Sequence, residues 1–161
     1  MFKIGIMKKR IFAAVILTLS LIVTGCTSDD AAAIDNSVKI EQIIDAAESG
    51  TWHITRFIDS GNDETTNFSG YNFTFKNGGT LTATNGSNTF NGIWSVTEDD
   101  DSNDDSSNDN DIDFNISFDT PPNFEELSED WDIVSSNNSK IDLIHVSGGN
   151  GGTDTLTFTK N

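Results

Sequence analysis

From Trp52 onward, hydrophobic residues recur at every second position. Trp52, Ile54 and Ile58 alternate with His53, Thr55 and Asp59. The same period runs through 70–76 (Tyr71, Phe73, Phe75), 79–84 (Leu81, Ala83), 88–97 (Phe90, Trp94, Val96) and 112–118 (Ile112, Phe114, Ile116, Phe118). It returns at 131–135 (Trp131, Ile133), 140–146 (Ile141, Leu143) and 154–160 (Leu156, Phe158). A period of two puts alternate side chains on one face of a strand, so the pattern predicts eight short, half-buried strands. Turn-forming stretches separate them, among them Ser60-Gly61-Asn62-Asp63, Asn77-Gly78-Gly79 and Asn85-Gly86-Ser87. Pro121-Pro122 ends the fifth strand, and Phe124 to Leu127 predicts one helical turn with Pro122 near its start. Before Trp52 the period is helical: Ile40, Ile43, Ile44 and Ala47 fall at i, i+3, i+4 and i+7, and Gly50 follows as a stop. A short helix is expected near 38–48. Strands at this spacing, joined by hairpin-length turns, imply an antiparallel sandwich or barrel. An eight-strand up-and-down barrel closes every edge and leaves an interior for side chains or one small ligand.

The N-terminus follows other rules. Lys3, Lys8, Lys9 and Arg10 precede an apolar run from Ile11 to Val23. That run makes roughly 20 Å of helix, short of a hydrocarbon core of ~30 Å. Basic, apolar and small residues in this order form a secretory signal pattern, starting at Met1 or Met7. Its last residues, Val23-Thr24-Gly25-Cys26, resemble the bacterial lipobox. That resemblance implies cleavage between Gly25 and Cys26 and acylation of Cys26; several acyl chains hold a protein stably, at ~0.8 kcal/mol per buried CH₂. Thr27 lacks the Asp that retains lipoproteins in the inner membrane, and Ser28-Asp29-Asp30 resembles the surface-export signal of Bacteroidota lipoproteins. The organisation expected is a signal peptide over 1–25, a lipidated acidic tether over 26–37 and one β domain over 38–161, anchored at the outer membrane and facing the cell surface.

Two segments echo each other, Gly50-Thr-Trp52 and Gly92-Ile-Trp94. A Gly-x-Trp that opens the first strand after a short helix is similar to the lipocalin signature. Phe57-Ile-Asp-Ser-Gly-Asn-Asp-Glu-Thr65, Gly70-Tyr-Asn-Phe-Thr-Phe75, Phe124-Glu-Glu-Leu-Ser-Glu-Asp-Trp131 and Val146-Ser-Gly-Gly-Asn-Gly-Gly-Thr153 extend the likeness to the lipocalin-like domain of small Bacteroidota lipoproteins. The resemblance covers roughly residues 45–160. It implies an all-β fold, an eight-stranded antiparallel up-and-down barrel with a short N-terminal helix, and no agreed activity. Lipocalins usually pack a late basic residue on the first-strand Trp, a place only Lys160 can take here.

Composition changes the picture in three ways. The 161 residues hold 26 acids against nine Lys and Arg, a net charge of −17. Four of the nine basic residues and no acids lie in 1–25, so the mature chain carries five against 26, or −21. Such a chain lacks the basic face that nucleic-acid binding requires. A single Cys excludes an internal disulfide and a multi-Cys zinc site. The acids also cluster: nine fall within the sixteen residues Glu98–Asp113. Asp99, Asp101, Asp105, Asp109 and Asp111 are candidate oxygen ligands for Ca²⁺. The EF-hand pattern fails, with no Gly at position six and no Glu at position twelve from Asp99 or Asp101. The plainer reading of 98–111 is a solvated, self-repelling loop.

The remaining candidates are few. Strict alternation puts Arg56, the only Arg of the mature chain, on the face of Trp52, Ile54 and Ile58. There it either anchors a ligand carboxylate, pairs with an Asp, or reaches solvent at the strand end. A ligand-holding barrel would be lined by Trp52, Ile54, Arg56, Phe73, Phe75 and Trp94. His53 and His145 with a carboxylate are a minor zinc possibility. No catalytic residue is expected: Gly-x-Ser-x-Gly and His-Glu-x-x-His are both missing, and Gly148 to Gly152 lacks the Lys and helix of a phosphate loop. Asp154-Thr155-Leu156 resembles the O-glycosylation acceptor of Bacteroidota. Two functions stay open: a non-catalytic module for a small apolar or carboxylate ligand, with no cofactor beyond possible Ca²⁺, or an accessory subunit of a surface complex whose barrel is filled by its own side chains. A structure separates them by whether the interior is hollow.

Overall fold

The structure, a computed structural model, describes residues 28–98, 112–147 and 152–161. Helix α1 (Ser28–Glu48) is followed by β1 (Trp52–Asp59), a two-residue β2 (Asn62–Asp63) and a 3₁₀ turn at Thr65–Phe68. Strands β3 (Asn72–Lys76), β4 (Thr80–Thr84), β5 (Thr89–Glu98) and β6 (Ile112–Ser117) come next, and the short helix α2 (Pro122–Glu125) separates them from β7 (Asp130–Ser136), β8 (Lys140–Val146) and β9 (Thr153–Lys160). Each strand pairs antiparallel with the next, and β1 pairs with both β3 and β9. The eight long strands therefore form a closed up-and-down barrel, the architecture that alternation and the lipocalin likeness predict. β2 only extends the turn after β1.

The inward residues are those of the period-two pattern, with one exception that matters. Trp52 and Ile54 point inward, but the β1–β9 register slips between Ile54 and Arg56, and Phe57 takes the next inward place. A bulge at Thr55 puts Thr55 and Arg56 both outside. Arg56 thus does not share the face of Trp52 and Ile54: it is exposed, and its Nε–H donates to Thr155 Oγ1 at 3.3 Å. A similar slip between Ile133 and Ser135 leaves Val134 61 % exposed, flanked by buried Ile133.

Antiparallel order gives the barrel two ends. At one lie α1, the start of β1, the β3–β4 turn, the β7–β8 turn and the C-terminus. There α1 packs on β3 and β5, with Ala47 fully buried and Ile40, Ile43 and Ile44 against the core. The helix is longer than its stripe predicts, because the segment from Ser28 that was expected as tether is helical too. Ala31-Ala32-Ala33 supplies the strongest intrinsic helix formers there. At the other end α2 inserts Phe124. Its ring lies 4.9 Å from Phe90, 5.1 Å from Tyr71, and 5.2 Å from both Phe68 and Phe118, centroid to centroid. Leu127, one turn on, is also fully buried. The chain therefore stoppers its own barrel at both ends.

The glycine of the second Gly-x-Trp has a steric reason. A Cβ on Gly92 would overlap the Ser117 carbonyl oxygen and come within 2.8 Å of the Phe118 ring. The obstruction is largely backbone of the paired strand and cannot swing away. Gly92→Ala is expected to destabilise the fold by about 1–3 kcal/mol, an overpacking cost read by urea denaturation. Phe124→Ala is expected to cost about 3–5 kcal/mol in the same measurement, since it removes the ring on which the far end converges.

Candidate functional site

The interior is where a ligand would sit if the barrel held one, and its side chains hold one another. Phe73 and Phe75 stand 5.4 and 5.3 Å from Phe158, edge to face. Phe75 also meets Trp94 at 5.1 Å and Phe114 at 5.4 Å. Such pairs each add about 0.5–1.5 kcal/mol beyond area burial. Trp52, Phe73, Phe114, Phe124, Trp131, Leu81, Ile141 and Phe158 are all 0 % exposed. Of the residues expected to line a ligand, Trp52, Ile54, Phe73, Phe75 and Trp94 lie in this core and Arg56 lies outside it.

Every indole N–H is satisfied by a backbone carbonyl that ties a strand to its neighbour segment. Trp52 Nε1 donates to Ala47 O at 2.8 Å, fastening β1 to the end of α1. Trp131 Nε1 donates to Leu127 O at 3.1 Å, fastening β7 to the turn after α2. Trp94 Nε1 donates to Lys76 O at 3.1 Å, across the β3–β4 turn. The late basic residue Lys160 lies over the first-strand indole: its Nζ is 5.7 Å from the Trp52 ring centre and donates to Ser49 Oγ at 2.8 Å. Gly50 leaves room for this arm, because a Cβ there would stand 2.6 Å from Lys160 Cε.

The grooves lie on the outer wall and are open to solvent. One of about 620 Å³ runs over the β5–β6–β7 seam, between Ile93, Ser95, Asn115, Ser117 and the Ser128-Glu129-Asp130 rim. A second, about 630 Å³, separates α1 (Lys39, Gln42, Ile43) from the end of β7 (Val134 to Ser136). At the rim of the first, His145 of β8 meets Glu129 and Asp130: Nε2 is 3.7 Å from Glu129 Oε2, and Nδ1 is 3.6 Å from Asp130 Oδ1. His53 is elsewhere, 2.7 Å from Asn161 Oδ1. His53 faces Thr159 and His145 faces the neighbourhood of Asp154 on β9, about 17 Å apart along the strand, so the two His share no metal. Nothing in the sequence announced the Glu129–Asp130–His145 group, which depends on how β7 and β8 register. Thr155, of the glycosylation-like triplet, is half-buried on the outer wall beside Arg56.

Charge is tuned at three carboxylates. For Asp142, burial opposes ionisation, but hydrogen bonds from Lys140, Ser135 and Thr157 outweigh it and hold the group below its usual range. Thr65 holds exposed Asp63 low by donating hydrogen bonds from side chain and backbone. Glu126 is raised, first by partial desolvation and then by repulsion from Asp59 and Glu64. The lipidation site Cys26, the cleavage position Gly25, and the calcium candidates Asp99, Asp101, Asp105, Asp109 and Asp111 lie outside the described residues.

A scan of protein-family models finds none that matches the chain, and a search of curated proteins finds none either. Among solved structures the chain is similar to a DUF4847 family protein from Bacteroides vulgatus, at 21% sequence identity and a TM-score of 0.41, over 71% of this chain and 94% of that one.

The raised Glu126 gives a signed expectation. A carboxyl whose pKa is higher folded than unfolded favours folding below its unfolded value, and that benefit is lost as pH rises through the folded one. Glu126→Gln is therefore expected to raise the melting temperature slightly at neutral pH and to leave it unchanged at about pH 3, where carboxyls are protonated.

Proposed function

We propose that this chain is a lipid-anchored envelope protein whose barrel is a packed, non-catalytic display domain, serving as an accessory subunit of a cell-surface assembly. The observation that carries the reading is the interior: interlocked aromatic rings occupy the space where a lipocalin-like cup would hold its ligand, and Phe124 and α1 close its ends. The anchor rests on the lipobox at Cys26, and the surface address on Ser28-Asp29-Asp30. Among the described residues no helix is long and apolar enough to cross a membrane. The outer wall offers contact surface instead, with Ile93 66 % exposed in the β5–β7 groove and Val134 beside the α1 groove.

Three measurements test the reading together. Cells grown with radiolabelled palmitate should label the wild-type chain and not Cys26→Ala, and surface protease should reach the anchored wild-type protein in intact cells. Palmitate titrated into the purified protein should leave tryptophan fluorescence unchanged. Labelling that survives Cys26→Ala contradicts the anchor, and a saturable fluorescence change contradicts the packed barrel.

A further inference from the structure

We propose that Glu129, Asp130 and His145 form a binding site for a first-row divalent metal ion, with Zn²⁺ as the probe. One donor atom from each residue lies within 4.8 Å of the others. Ligands about 2.1 Å from a tetrahedral cation sit roughly 3.4 Å from one another. Glu129 Oε2, 3.7 Å from Nε2, is already near that spacing, while Asp130 Oδ1 lies 3.6 Å from Nδ1 and must swing its exposed carboxylate toward the Nε2 side to join it.

The histidine is prepared for the role. Its Nδ1 lies 3.2 Å from the Asp130 carbonyl oxygen. A carbonyl can only accept, so Nδ1 is the donor there, and in the neutral ring Nε2 presents its lone pair on the side of Glu129 Oε2. A ligating His held by a carbonyl through its other ring nitrogen is the usual outer-shell arrangement at metal sites. The ring also stands edge-on to fully buried Trp131, 6.2 Å between centres, which fixes its plane. The imidazole is half-buried against Trp131, while the two carboxylates are the more exposed partners. One imidazole nitrogen with two carboxylate oxygens suits Zn²⁺ or a neighbouring transition ion better than Ca²⁺ or Mg²⁺, which prefer oxygen throughout. Three protein ligands leave at least one position for water. A bound ion would also pin β8 to the start of β7, where the β6–β7 ladder has only three pairs.

The test is a Zn²⁺ titration of the full-length chain in detergent micelles, purified without a histidine tag and with excess Ca²⁺ present to fill oxygen-only sites. Wild type is expected to take up one Zn²⁺ under these conditions, shift the His145 imidazole resonances and leave those of His53 in place. His145→Phe, which keeps a ring against Trp131, and the surface change Glu129→Gln should each weaken binding at least about tenfold. Both variants are expected to unfold like wild type without metal. Unchanged affinity in both variants, a shift confined to His53, or no Zn²⁺ uptake at millimolar concentration overturns the proposal. Should His145→Phe fail to fold, Glu129→Gln alone decides.

Discussion

A closed eight-stranded barrel encloses a volume fixed by strand number and tilt, and the chain must fill that volume with side chains or leave it to a guest. Here closure comes from β1 pairing with β9, Trp52 against Lys160 through Ile58 against Thr155. The filling follows from it. Rings from strands that are not neighbours meet inside, as Phe75 of β3 does with Phe114 of β6 and Phe158 of β9. The strands alone leave the ends open, and local helices close them: α1 through Ala47, α2 through Phe124. The indoles of Trp52 and Trp131 each spend their N–H on the carbonyl at the end of a stopper segment, so core and stoppers are fastened by the same residues.

Much of this is legible in the sequence. Each of the eight barrel strands corresponds to a period-two stretch, because each has one dry face and one wet one. The helical stripe Ile40 to Ala47 marks the part of α1 that packs, whereas the helix begins earlier, at Ser28, over residues that carry no such stripe. Arg56 was misplaced for a physical reason. A bulge inserts one residue and reverses every face after it, and neither Thr55 nor Arg56 carries a signal that would reveal it. The group of Glu129, Asp130 and His145 was equally hidden, since its members meet through register and a half-buried ring rather than through spacing in sequence.

Charge and fold prove largely separate. The most acidic stretch lies between β5 and β6, and the described barrel owes its form to apolar alternation. Where acids do crowd the barrel they act locally: Asp59 and Glu64 repel Glu126, while Lys140, Ser135 and Thr157 steady Asp142. Lys160 lies over Trp52 and runs beside Gly50 at the seam of the barrel.

A barrel filled by its own side chains has no room for a guest. Xenon enters dry apolar cavities and finds no place in packed cores. Crystals of the protein under xenon pressure should show no xenon inside the ring of strands, between Phe75, Phe114 and Phe158 or beneath Phe124. Xenon bound there in the wild-type chain would contradict the account and restore the barrel as a ligand cup.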